Sequence, residues 1–157
     1  MIREDRFRRV NADGSERRIV FGVPGSGAAP DLSDPAVFEP TPWEAYTYDA
    51  NDNAGRTHHT TSASYAHHWN TPASVIVDAL GRTVEAIGRY RASLSERVQE
   101  YRTRTTYDIR GNALLITDSL GRHAFEYVYD YANRRLRLES LDAGIRATVF
   151  DAMGQTI

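Results

Sequence analysis

Two histidine pairs, His58-His59 and His67-His68, stand nine residues apart, and neutral imidazoles are natural ligands of zinc, copper or nickel. A metal centre would need a third ligand. Residues 57–77 hold no carboxylate and the chain holds no cysteine, so that ligand would have to come from a distant element. The pairs therefore read as polar histidines in a Ser/Thr-rich loop, and no metal is expected. Asp49-Ala50-Asn51-Asp52-Asn53-Ala54 imitates the start of a calcium loop, but the sixth position is Ala54 instead of glycine and the twelfth is Thr60 instead of a bidentate glutamate. Gly25-Ser26-Gly27 lacks the residue that a nucleophile elbow places between each glycine and the serine. Ser26 reads as a linker serine.

Absent residue types prune the chemistry further. Without cysteine there are no disulfides, thiol nucleophiles or iron–sulfur clusters. All 19 basic residues are arginine, which removes lysine Schiff bases and Walker-type phosphate clamps. A net charge of −2 gives no global field for nucleic acid. Hydrophobic content of 41% and mean hydropathy of −0.53 suit a chain that can bury a core. The long uncharged run from Thr57 to Val77 is too rich in His, Ser and Thr to cross a membrane. No apolar stretch follows the charged start, so no classical signal peptide is expected.

The many aspartates invite a search for paired carboxylates, yet they recur one at a time in a fixed setting. The unit is an aromatic or apolar residue, Asp, two variable residues, Gly or Asn, and usually Arg. It pairs Asp78 with Gly81, Asp108 with Gly111, Asp118 with Gly121, Asp130 with Asn133 and Asp151 with Gly154. Two variants deviate: Asp49 reaches Gly55 late, and Asp142 reaches Gly144 one residue early. An Asp that opens a type I turn accepts from backbone N–H groups two or three residues on. Gly or Asn at the fourth position tolerates the left-handed conformation that closes a hairpin with a bulge. These fourteen residues are expected to be structural turn residues, and no catalytic or cofactor-binding residue is nominated.

Elements that hold such corners must be strands. His123, Phe125, Tyr127 and Tyr129 share one face of a period-two stretch, and Leu136, Leu138 and Ser140 share one face of the next. The stretch from Tyr90 to Tyr101 stays open between two turns of helix, with Leu94 and Val98 at i and i+4, and a loop. Residues 1–22 read as an Arg-rich arm or hairpin, 23–42 as a Pro/Gly-rich linker holding five of the six prolines, and 43–157 as the repeat region. Trp43, Tyr46, Tyr48, Trp69, Tyr127 and Tyr129 are candidates for sugar stacking, with strand packing the preferred use.

The Tyr-Asp-x-x-Gly-Arg unit resembles the YD repeat of Rhs proteins, of teneurin-like surface proteins and of the B and C components of insecticidal Tc toxin complexes. The run from Thr41 to His58, with the series from Tyr107 to Arg122, is most similar to the Tc B component, and the resemblance covers residues 41–157. It implies an all-β fold: an antiparallel β-hairpin ribbon forming an arc of a hollow shell, with the Pro/Gly-rich segment as an irregular strap. It also implies a structural role in encapsulating and delivering a toxin, secreted or extracellular as part of a toxin complex. The implied partners are the rest of the shell, or a C-type component and its cargo, and the chain would be a piece of something longer. An isolated arc would self-associate through strand edges. The Asp-Pro-x-Gly self-cleavage motif is absent, so proteolytic activity is not carried over. The alternative is a carbohydrate-binding surface module of the same repeat class. An ADP-ribosylating enzyme ranks last, because the Arg, Ser-Thr-Ser and Glu-x-Glu set is missing.

Overall fold

The computed structural model describes residues 6–24, 38–61 and 65–157. Most of the linker at 23–42, Gly25-Ser26-Gly27 included, lies outside them. The chain divides into two compact units, 1–101 and 102–157.

The first unit opens with a hairpin of β1 (Arg6–Val10) and β2 (Glu16–Phe21), registered with Val10 opposite Glu16. Its corner uses the backbone pattern of the repeat with Asn11 in the leading place: Asn11 N–H donates to Ser15 O at 2.8 Å and Gly14 N–H to Asn11 O at 3.0 Å. A small ladder of β3 (Val23–Pro24) and β4 (Phe38–Glu39) stands apart from the main sheet. The main sheet continues through β5 (Glu44–Tyr48), β6 (Ala73–Val77) and β7 (Thr83–Tyr90), giving the order β1-β2-β5-β6-β7. Arm and repeat region thus share one sheet, because β2 pairs antiparallel with β5 across the linker. The core lies here. Val20, Phe38, Tyr46 and Tyr48 form one buried cluster, with the Phe38 and Tyr46 rings edge to face at 5.3 Å. Burial of Tyr46 and Tyr48 removes both from the candidates for sugar stacking.

β8 (Gln99–Tyr107) leads into the second unit, where β9 (Ala113–Thr117), β10 (His123–Tyr129), β11 (Arg135–Ser140) and β12 (Gly144–Ala147) follow as an antiparallel meander. The period-two reading holds on β10, where Phe125, Tyr127 and Tyr129 stack along one face at 6.2 and 6.3 Å. Phe125 lies opposite Ile116 and Ser140, and Tyr127 opposite Leu138, so their face is largely apolar. The other face carries Glu126, Arg137 and Glu139. Among residues 102–157 only Ser140 is buried. This sheet is a single layer without an enclosed core.

The open choice at Tyr90–Tyr101 resolves against helix. β7 runs through Tyr90, β8 starts at Gln99, and the residues between are bends and turns. Ser93 closes the segment locally, accepting from Glu96 N–H through its carbonyl at 3.1 Å and contacting Ser95 and Glu96 with its hydroxyl. Two apolar positions are too few to hold an isolated helix of that length.

Candidate functional site

Asp78, Asp108, Asp118, Asp130 and Asp151 sit at hairpin corners. In four of them a carboxylate oxygen accepts two backbone N–H groups: Leu80 and Arg82 at Asp78, Arg110 and Asn112 at Asp108, Leu120 and Arg122 at Asp118, and Ala132 and Arg134 at Asp130. Asp151 takes Met153 and Gln155 in the same way. The reach differs from the expected one. It is two and four residues on, because the amide three residues on donates to the Asp carbonyl, as Gly81 does to Asp78 at 2.9 Å. Gly81, Gly111, Gly121, Gly154 and Asn133 all have positive φ.

The second carboxylate oxygen explains the terminal arginine of the repeat, whose role the sequence reading missed. Asp78 Oδ2 accepts Arg82 Nε at 2.7 Å, Asp118 Oδ2 accepts Arg122 Nε at 2.7 Å and Asp130 Oδ2 accepts Arg134 Nε at 2.6 Å. Asn112 Nδ2 takes that place on Asp108 at 2.8 Å. The partner's side-chain hydrogen bond is the leading cause holding the Asp78, Asp108 and Asp118 carboxyls below their usual range, and the Arg134 N–H leads at Asp130. Such carboxylates are ionised and occupied, the wrong state for general acid–base work near neutral pH. The signal was present as the recurring Asp-to-Arg spacing of four at Asp78, Asp118 and Asp130.

Corners also touch their neighbours. Arg110 Nη1 donates to Tyr131 O at 2.8 Å and Asn112 Nδ2 to Asn133 Oδ1 at 2.9 Å, while the Arg134 guanidinium lies 4.8 Å from the Phe150 ring centroid. The shallow hollow between the Asp108 and Asp130 corners, about 680 Å³, is lined by Leu114, Tyr127, Tyr129 and Leu136. Asp142 stands in a different corner, tied by Ser140, whose Oγ accepts from Ala143 N–H at 3.3 Å, with Gly144 at φ +70°. Ser140 pairs with Gly144 four residues on, so Ser140 and not Asp142 stands at the start of this corner.

Asp49 departs most. It caps the one-turn helix α1 (Ala50–Asn53), accepting from Asn51 N–H at 2.8 Å and Asp52 N–H at 3.2 Å, while Asp52 Oδ2 accepts from Asp49 N–H at 2.8 Å. This reciprocal capping box engages the carboxylate of Asp49, the first position of the calcium-like run. Asp52 also accepts from Thr71 N–H and Thr71 Oγ1, both at 3.3 Å, closing the two ends of the β5–β6 connection. Burial, then the Asp49 charge, pushes Asp52 up to about 6. Inside the connection, Tyr65–His68 makes one 3₁₀ turn. Arg91 clamps it, donating to His67 O at 2.9 Å, Ala66 O at 3.2 Å and Trp69 O at 2.6 Å. Trp69 Nε1 donates to Ala54 O at 2.8 Å, and the Arg56 guanidinium lies 4.3 Å from the Trp69 ring centroid. The two histidine pairs are not brought together with a third ligand: no group of three His, Cys, Asp or Glu fit for a metal occurs among the described residues.

These features define a class, an antiparallel β-meander whose corners are closed by Asp-x-x-Gly units. No protein-family model and no curated protein matches the chain. Solved structures do match. The Tc holotoxin pore of Photorhabdus luminescens superposes with a TM-score of 0.76 at 23% identity, over 96% of this chain and 6% of that one. TcdB2-TccC3-TEV gives 0.75 at 24% identity, over 96% and 7%. TcdB2-TccC3 without its hypervariable C-terminal region gives 0.65 at 20% identity, over 98% and 10%. The chain therefore spans a tenth or less of the chains it matches, and it has the fold of a segment of these Tc toxin chains.

Proposed function

We propose that this chain is a structural, non-catalytic piece of a YD-repeat shell that encapsulates and helps deliver a toxin. The rest of the shell or a C-type component with its cargo would be its partners, outside the cell. One observation carries the reading: nearly the whole chain superposes on a small segment of Tc toxin chains at a TM-score of 0.76. The single-layer sheet at 102–157 supports it, since a sheet with so little buried needs something beside it. The corner aspartates then serve to set strand register.

Co-expression with a toxin-like chain encoded beside it tests the proposal. A complex in which part of that partner resists trypsin until the complex is denatured is the expected result. Cleavage of the partner at the same rate with and without this chain would overturn it.

A further inference from the structure

The two faces of the sheet in the first unit differ. Val20, Tyr46, Ser74 and Ile87 lie directly opposite one another across β2, β5, β6 and β7, and all four are buried. The next row along the strands points to the other face. It runs through Phe21, Ala45, Val75 and Ala86, with Phe21 41% and Val75 36% exposed. On the same face Ile19 and Thr47 are partly exposed and Ala73, opposite Thr47, is exposed. Neither row holds a charged residue, and most of its side chains are small. Charge enters this face at one end, where β1 and β2 set Arg9 directly opposite Arg17, both exposed. Like charges so placed are unfavourable unless something neutralises them. The acids nearby are engaged elsewhere. Glu16, on the packed face, takes Arg8 and Arg18; Asp13 accepts from Ser15 N–H at 2.9 Å and Ser15 Oγ at 2.7 Å; and Asp49 caps α1. Neither the Arg9 nor the Arg17 guanidinium makes an ion pair or hydrogen bond among the described residues.

An open, uncharged face of small side chains with two unneutralised arginines at one end complements an element that is apolar along its length and acidic at its tip. A helix satisfies its own backbone hydrogen bonds, covers a sheet face with one apolar stripe and favours acidic residues in its first turn. From this charge complementarity we infer that the open face of β2, β5, β6 and β7 docks an amphipathic helix of a partner protein. The helix lays its apolar stripe across the two uncharged rows and sets its acidic first turn on Arg9 and Arg17. This surface does not depend on the shell proposal, and either can fail alone.

The test titrates the full chain into a labelled synthetic helical peptide, with leucines at helical spacing, alanines between them and glutamates in the first turn, and follows fluorescence anisotropy. Two counterparts carry glutamine or lysine in place of the glutamates. Saturable binding of the glutamate peptide is expected, about tenfold weaker for the glutamine peptide, the loss of one charge-assisted hydrogen bond, and weaker again for the lysine peptide. Arg9→Gln and Arg17→Gln, both on exposed side chains, should each reduce the preference for glutamate over glutamine with the far-UV spectrum unchanged. Val75→Lys, which puts a charge among the small side chains, should weaken all three peptides. Equal affinity for the three peptides would overturn the inference, as would a glutamate preference that survives in both arginine variants. Binding to phosphatidylserine vesicles that needs the same arginines, with none to the peptides, would assign the patch to a lipid surface and overturn it as well.

Discussion

Asn133 has φ +62° at the position where the other Asp corners have glycine, and its Oδ1 accepts from Asn112 on the neighbouring corner at 2.9 Å. Asparagine tolerates that backbone, whereas alanine there costs about 1 kcal/mol. Asn133→Ala should lower the melting temperature while Asn133→Gly, which keeps the backbone and loses only the lateral bond, stays much closer to the parent; thermal denaturation of both variants checks this. The corner aspartates carry a definite pH sign. The folded carboxyls of Asp78, Asp108, Asp118 and Asp130 titrate below the unfolded value, so their contribution is present above about pH 4 and disappears as the pH falls through the folded values. Asp118→Asn should therefore destabilise at neutral pH and converge on the parent in acid, as read from melting curves across that range.

At the scale of elements, the β5–β6 connection has the opposite sign. Asp52 is raised to about 6 by burial and by Asp49, so its contribution is complete below about pH 4 and is lost as the pH rises through 6. A shift of that size corresponds to roughly 2–3 kcal/mol of penalty on the ionised form. Asp52→Asn should flatten the stability curve between pH 5 and pH 7, because the amide keeps an acceptor for Thr71 and has no charge to desolvate. A variant with the parent's slope would show that another group titrates there. This connection was also where the sequence was least legible. Asp-x-x-Gly spacing and period-two alternation expose hairpin corners and strand faces because both are local. The clamp from Arg91 to three carbonyls more than twenty residues back is a tertiary contact to backbone, and backbone carbonyls leave no mark in residue types. The pairing of β2 with β5 across the linker was hidden for the same reason. Asn11 opening the first hairpin was legible in principle, since Asn can stand in for Asp at a turn.

For the whole molecule, charge and exposed strand edges bear on association. Net charge is only −2, so long-range repulsion between copies is weak. In the second unit every residue of β12 is exposed, and β12 pairs with β11 while its other edge carries no strand among the described residues. The aromatic face of β10 adds Phe125, 38% exposed, beside partly exposed Tyr127 and Tyr129. An edge with free ladder groups next to an open apolar face favours pairing with a second strand over hydration. The chain should then sediment as concentration-dependent oligomers at micromolar concentration. Ile145, 60% exposed on β12, is the place to oppose this: Ile145→Lys puts a charge on the edge, where natural sheets use lysine to block pairing. The variant should shift the distribution toward monomer while leaving the far-UV spectrum unchanged. A parent chain that sediments as a monomer and melts in one cooperative step would mean that the open sheet is sufficient by itself, and the argument for a neighbour along this edge would fall.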